Sequence, residues 1–315
     1  MKVGVIGVGA VGSATLLSLV ERGGMCREVV VIDRDTARAD GVAADMRYAT
    51  PLSPTVDVRS GDYADLADAA VVVITAGVNE KAGGATKRSD SHGRLNLLKA
   101  NARVYADILP QLIEAAPDAV LMVVTDPPDP LADLTRHWVG HDRVFSTGTL
   151  IDSLRFRVQL AERLRVRPRD VQALVVGEHG TSEVFLWSSA MVGGLPVTGL
   201  LEQDGRTIED VRADVENDIR FANITIIEGT GASQYGIGAV SARLVEAVLR
   251  DERAVLPVAA YSPPYGTTLS LTSVLGAGGV QQMHRPGMTV EEERALDHSA
   301  AILRDAAGQA IALAA

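Results

Sequence analysis

A chain of 315 residues exceeds what one ordinary hydrophobic core supports, so two domains are the expectation. With 47% hydrophobic and 22% charged residues it has a globular composition, and a net charge of −10 argues against a nucleic-acid partner, which would require a basic face. The single cysteine, Cys26, excludes an internal disulfide and fits a reducing, cytoplasmic setting.

The plan of the chain is set at its start. Residues 3–6 are a short apolar run, followed by Gly7-Val8-Gly9-Ala10-Val11-Gly12, an uncharged helical segment, a second apolar run at 29–32, and Asp33. In a strand–helix–strand unit the first glycine permits a tight turn, the second admits a pyrophosphate, and the third lets helix and strand pack closely. Ala10 and Val11 open the helix, whose free N–H groups favour phosphate. Asp33 falls about 20 residues later, where a carboxylate accepts from both ribose hydroxyls and repels a 2′-phosphate. NAD is therefore expected over NADP, and no metal is called for. Residues 3–20 lack charge, but their glycines and the absence of a cleavage pattern argue against a leader or a membrane span.

Ala39, Val42, Ala43 and Met46 then mark a helix over 36–47, and 55–59 reads as a third strand. The β-branched run 71–76 suits a strand buried on both faces, closing on Thr75-Ala76-Gly77. A polar loop over 78–92, a helix over 94–116 and a fifth strand at 119–124 follow, and the proline-rich 125–130 reads as irregular. A helix at 131–139 and a sixth strand at 144–146 complete a doubly wound parallel sheet, an α/β Rossmann domain over 1–146. An α+β substrate domain is expected over 147–315. It has helices over 151–165, 206–228, 233–250 and 290–313, strands at 171–176, 254–261 and 269–274, and hairpin signals at Gly193-Gly194.

Several motifs in order then carry a resemblance that runs nearly end to end. Gly7, Gly9 and Gly12, Thr75-Ala76-Gly77, Gly93-Arg94-Leu95-Asn96-Leu97, Ile151-Asp152-Ser153-Leu154-Arg155-Phe156-Arg157, Gly177-Glu178-His179-Gly180 and Ser233-Gln234-Tyr235-Gly236-Ile237 resemble the L-lactate/malate dehydrogenase family. The resemblance implies an NAD-dependent oxidoreductase acting on a small (S)-2-hydroxy acid and its 2-oxo acid, closer to lactate than malate dehydrogenases. Reducing a 2-oxo acid requires a proton at the carbonyl oxygen, and His179 suits that role because imidazole titrates near pH ~6.5. By resemblance Asp152 orients the ring, Arg94 on a mobile loop polarises the carbonyl, and Ser233 stands near substrate and nicotinamide. Arg155 shares a helix face with Asp152, and its fork fits the substrate carboxylate. Arg157 reads as a solvated helix charge, and Gln172 stands where some relatives place a histidine for an activating sugar bisphosphate. The family also implies a homodimer or homotetramer.

Three departures fall on the substrate side. The loop 84–93 is longer than the family's, admitting a bulkier substrate, with Lys87 or Arg88 expected at a solvated tip. Glu80 stands where glutamine favours lactate and arginine favours malate; it either repels a second substrate carboxylate or faces water. Asp126 replaces the family asparagine, which both donates to the reacting oxygen and accepts from the cofactor ribose. Asp126 is then protonated, or turned to ribose alone, or paired with a donor on the substrate. Two other readings remain: a dehydrogenase of an amine or another alcohol using His179 and Asp152, and a catalytically silent NAD-binding regulator.

Overall fold

Strands rich in valine and isoleucine organise the molecule. The chain begins with β1 (Lys2–Ile6), α1 (Ala10–Arg22), β2 (Glu28–Ile32), α2 (Thr36–Ala49), β3 (Asp57–Ser60) and β4 (Ala69–Ile74). It continues through α3 (Leu98–Ala115), β5 (Val120–Val123), α4 (Pro128–Val139) and β6 (Val144–Ser146). The computed structural model describes residues 1–52, 56–83, 86–90 and 92–314; Thr55 of the expected third strand and Gly84, Ala85 and Ser91 of the long loop lie outside the described residues.

β1 to β6 lie parallel in the order β6-β5-β4-β1-β2-β3. The order reverses between β1 and β4, which opens a crevice at their carboxyl ends. Alternate residues of each strand serve different cores. Val3, Val5, Val29, Val31, Val71 and Val73 pack with Leu16 and Leu19 of α1, while Val30, Ile32, Val72 and Ile74 pack with Tyr105, Leu109 and Leu112 of α3. Both faces are covered, so the strands need apolar residues at every position.

α4 begins at Pro128, earlier than the sequence suggests, with Pro128 and Pro130 both inside its first turn. The first turn of a helix has no intrahelical use for its N–H groups, so proline costs little there. The rest of the chain runs through α5 (Leu150–Leu164), β7 (Val171–Gln172), β8 (Val175–Val176), β9 (Val184–Phe185), β10 (Met191–Val192), β11 (Leu195–Pro196) and α6 (Val197–Gln203). Then come α7 (Ile208–Arg220), α8 (Ala222–Thr230), α9 (Tyr235–Leu249), β12 (Ala254–Ser262), β13 (Thr267–Gly276), β14 (Gly279–His284) and α10 (Val290–Ala314).

The strand expected over 171–176 divides in two, because β7 pairs with β10 while β8 pairs with β9. Ser153 of α5 accepts from the Val175 N–H at 2.9 Å and so ties the second piece to the helix. The helix expected over 206–228 breaks at Phe221. α7 sends Val211, Val215 and Ile219 into the core around Phe156, whereas Asn223 and Ile227 of α8 line the crevice. β12 pairs antiparallel with β6, and β13 and β14 continue the sheet antiparallel beyond it, giving nine strands among the described residues, with Ala259 opposite Ser146 at the junction. Among the described residues no helix is long and apolar enough to cross a membrane.

Candidate active site

The glycine turn between β1 and α1 forms one wall of the crevice. Gly7 has φ +90°, and a Cβ there would lie 2.5 Å from the Ala76 backbone; a Cβ on Gly12 would lie 2.0 Å from the Gly7 carbonyl oxygen. A Cβ on Gly9 would meet nothing within 4 Å, so that face is open. α1 has no side-chain cap and no acidic residue in its first turn, leaving its N–H groups for an anion. The Thr75 hydroxyl donates to the Gly7 carbonyl at 2.5 Å and fixes the turn against β4.

Asp33 closes the far end. Its Oδ2 accepts from the Val8 N–H at 2.9 Å and its Oδ1 from the Asp35 N–H at 3.0 Å. A cavity of about 440 Å³ there is lined by Gly7, Asp33, Tyr63, Thr75 and Ala76. A second, of about 260 Å³, runs past Ala10, Val11 and Thr147 to Asp126, Arg155, His179 and Ser233. Gly9, Thr75, Gly77 and Val78 line both, so the crevice is continuous. An open glycine face, an uncapped helix end and a carboxylate at the far end fit a dinucleotide.

At the other end, two elements bring an acid–base pair together. The loop carrying His179 is held by reciprocal bonds between Gly177 and Ser270 of β13, 2.9 and 3.0 Å long, and by the Ser299 hydroxyl accepting from the Glu178 N–H at 2.9 Å. The His179 N–H donates to Asp129 Oδ2 at 2.9 Å, and its ring Nδ1 lies 2.5 Å from Asp152 Oδ2. Asp152 Oδ1 accepts from Arg155 Nη1 at 2.8 Å. Burial alone would raise the Asp152 carboxyl, but the His179 ring, Arg155 and Arg94 hold it below the usual carboxylate range. An ionised Asp152 only accepts, so Nδ1 carries a proton and Nε2 faces the cleft.

Nε2 lies 3.9 Å from Asp126 Oδ1. The other oxygen of Asp126 is 3.3 Å from Arg94 Nε, and Glu80 Oε1 is 3.4 Å from the same nitrogen. Burial raises the Asp126 carboxyl and Glu80 raises it further, against the pull of Arg94 and His179. Burial opposes the Arg94 charge, but Asp126 and Glu80 hold it more firmly than usual.

Of the residues singled out in the sequence, His179, Arg94, Arg155, Asp126, Glu80 and Ser233 line this cleft, with Asp152 directly behind His179. Glu80 does not face water: its side chain is 13% exposed and accepts from Asn223 Nδ2 at 2.7 Å. Arg88 is exposed but not free, since it crosses to α8 and donates to the Thr225 hydroxyl at 2.7 Å; Lys87 is exposed. Arg157 is partly buried and donates to the Ala173 carbonyl at 3.2 Å, so it is not a free surface charge. Burial pushes the Cys26 thiol up to about 11, which leaves it inert.

Sequence reasoning missed three residues here. Asn223 belongs to no motif, Asp129 was hidden among prolines, and Glu183 follows the histidine loop without a distinguishing pattern. Glu183 is 4% exposed, and burial, reinforced by Asp152, raises its carboxyl well above the usual range.

Comparison with known proteins decides the family. Residues 1–145 match the lactate/malate dehydrogenase NAD-binding domain and residues 149–314 the lactate/malate dehydrogenase alpha/beta C-terminal domain. The chain belongs to the lactate/malate dehydrogenase family. It is accordingly an NAD-dependent oxidoreductase of the 2-hydroxy acid type, with NAD as its cofactor. An L-lactate dehydrogenase of Deinococcus radiodurans is 45% identical over 305 residues, spanning 96% of this chain and 97% of that one. One from Thermus aquaticus is 44% identical and spans 98% of both. Among solved structures, the minor L-lactate dehydrogenase of Enterococcus mundtii superposes with a TM-score of 0.89 at 33% identity, covering 98% of each chain.

Proposed function

We propose that this member of the family interconverts a small (S)-2-hydroxy acid and its 2-oxo acid, lactate-like in substrate, with His179, Asp152 and Arg94 as the catalytic groups. The observation that carries the reading is the His179–Asp152–Arg155 array, in which one carboxylate is 2.5 Å from the imidazole and 2.8 Å from the guanidinium. Bound NAD supplies the acceptor for the hydride from C2 of the hydroxy acid.

Each residue then has a task set by its contacts. Arg155 gives one nitrogen to Asp152 and offers the rest of its fork to the substrate carboxylate, which orients C2 towards the crevice. In oxidation His179 Nε2 takes the hydroxyl proton, while Asp152 compensates the charge that the ring acquires. In reduction Nε2 returns that proton and Arg94 polarises the carbonyl. Ser233 and Ile237 line the end of the cleft where the nicotinamide would sit. Gly7, Gly9, Ala10, Val11, Gly12, Thr75, Ala76 and Gly77 would shape the pyrophosphate wall; Asp33 would accept from the adenosine ribose and Asp126 would face the nicotinamide side.

Residues 1–146 form the nucleotide-binding domain and 147–315 the substrate domain in this reading, the protein works in the cytoplasm, and it assembles as a homo-oligomer. NADH consumption with pyruvate, 2-oxoisocaproate, phenylpyruvate and oxaloacetate tests it. Turnover is expected on a monocarboxylic acid and least on oxaloacetate, beside Glu80. No turnover on any of the four rejects the proposal.

A further inference from the structure

The substrate chamber holds more negative charge than a simple 2-hydroxy acid anion calls for. Arg94, the cation nearest Asp126, lies between two carboxylates, with Nε 3.3 Å from Asp126 Oδ2 and 3.4 Å from Glu80 Oε1. Its Nε is buried and makes no hydrogen bond to either of them. Asn223 reaches across from α8 and pins Glu80 Oε1 at 2.7 Å, so that carboxylate is fixed towards the cleft rather than free to swing out. Arg155 is already paired with Asp152 at 2.8 Å.

In the inner part of the chamber the little-exposed guanidinium groups of Arg94 and Arg155 thus face the three carboxylates of Glu80, Asp126 and Asp152, with the His179 ring beside them. Buried Glu183 and its neighbour Arg220 stand behind them, Arg220 being paired with Glu216 at 3.1 Å. Lys81 and Arg38 line the outer cleft but are exposed, where solvent screens them. A substrate carrying only its own carboxylate therefore enters a half-buried site whose fixed charges do not offset it. A second carboxylate makes the mismatch worse, and a hydrogen-bond donor or cation on the side chain removes it.

We propose that Glu80 and Asp126 form a donor-reading subsite, selecting a 2-hydroxy acid whose C3 substituent carries a hydroxyl or an ammonium group. The inference rests on the reading of the chain as a 2-hydroxy acid dehydrogenase. In their ionised form both groups only accept, and the Asn223 contact leaves Glu80 its second oxygen and the outer lone pair of its first. Asp126 lies beside the reacting position, 3.9 Å from Nε2, so a donor on the carbon next to C2 is within its reach.

Four acids of nearly one shape test this: (S)-lactate, (S)-glycerate, (S)-isoserine and (S)-malate present methyl, hydroxymethyl, aminomethyl and carboxymethyl at the same position. NAD reduction by the full-length protein is followed with each. The expected kcat/KM for glycerate or isoserine exceeds that for lactate by at least about tenfold, with malate last. Glycerate ahead of isoserine marks a hydroxyl-bearing substrate, and the reverse order an ammonium. Glu80→Gln and, separately, Asp126→Asn are expected to bring the ratio of donor-bearing acid to lactate down by about tenfold, read as a ratio so that a general loss of activity does not mimic the effect. Lactate equal to or ahead of both donor-bearing acids, or a ratio unmoved in both variants, overturns the subsite while leaving the dehydrogenase reading intact. Silence on all four acids overturns both.

Discussion

Two carboxylates hold His179 in different ways, and each yields a separate prediction. Asp152 engages the ring through Nδ1 at 2.5 Å, whereas Asp129 engages only the main chain, accepting from the His179 N–H at 2.9 Å and from the Ser146 hydroxyl at 2.6 Å. Asp152→Asn keeps the shape but removes the charge, and its amide can hold the ring in the wrong tautomer. It is expected to lower kcat by about 10²–10⁴ with NADH affinity, read by fluorescence titration, unchanged. Asp129 acts on stability instead. Burial pushes its carboxyl up to about 6, so the folded chain holds that proton more tightly than the unfolded chain, whose aspartate titrates near ~3.9. The folded state is favoured below the unfolded value, and that advantage disappears as pH rises through about 6, a change of roughly 3 kcal/mol. Denaturant unfolding between pH 4 and 7 is expected to show stability falling with pH, and a flatter profile in Asp129→Asn; equal slopes in the two proteins reject the assignment. These two aspartates also show what the sequence exposes. Asp152 sits in a helix motif with Arg155, so spacing alone places both on one face. Asp129 acquires its role only when its helix packs beside a loop 50 residues away, and Glu80 meets Asn223 across a separation of 143. No local pattern records such meetings.

Elements with one environment were legible, and those with two were not. β1, β2 and β4 are buried on both faces, so their valine and isoleucine runs announce them wherever they pack. The helical periodicity over 206–228 is unbroken in the sequence, yet α7 serves the Phe156 core and α8 the crevice, so the chain bends at Phe221. The described part of the segment between Glu80 and the turn Gly93–Leu97 shows the same limit. Its polar residues suggest a solvated loop, but Arg88 donates to the Thr225 hydroxyl at 2.7 Å, lies 3.8 Å from Glu228 and sits 6.0 Å from the centre of the Phe221 ring. With Glu80 bound to Asn223, the segment is strapped to α8 at two points. Arg88 is 47% exposed, so solvent screens its pairing and the strap contributes on the order of 1 kcal/mol or less. Arg88→Ala is expected to raise KM for the 2-oxo acid a few-fold, leave kcat nearly unchanged, and speed limited proteolysis within residues 79–97. Unchanged cleavage there shows that Arg88 does not fasten the segment.

At the scale of the molecule, the site depends on one continuous sheet joining two differently built parts, because β12 to β14 continue β6 although their connections run antiparallel. Asp129 and Asp152 belong to the helices flanking that junction, α4 and α5, and β13 holds the His179 loop through Ser270. The inner face of α5 carries Asp152 and Phe156, both buried, while Leu154 at 37% and Val158 at 40% exposure lie one turn apart on the other side. Apolar residues paired at that spacing form a stripe, and on a chain with net charge −10 an apolar stripe is where copies meet with least repulsion. If the proposed oligomer forms there, its contact supports the helix that carries Asp152 and Arg155. Sedimentation is therefore expected to give at least twice the chain mass of 33.2 kDa. Leu154→Glu with Val158→Glu should bring the mass to that of one chain, by burying two unpaired charges in any contact through this face. Activity should fall with it, chiefly in kcat/KM, because a helix unsupported on its outer side holds Arg155 less firmly against the substrate carboxylate. A wild-type protein that sediments as a single chain at micromolar concentration rules out the assembly; a double variant that stays oligomeric with full activity places the contact on another face.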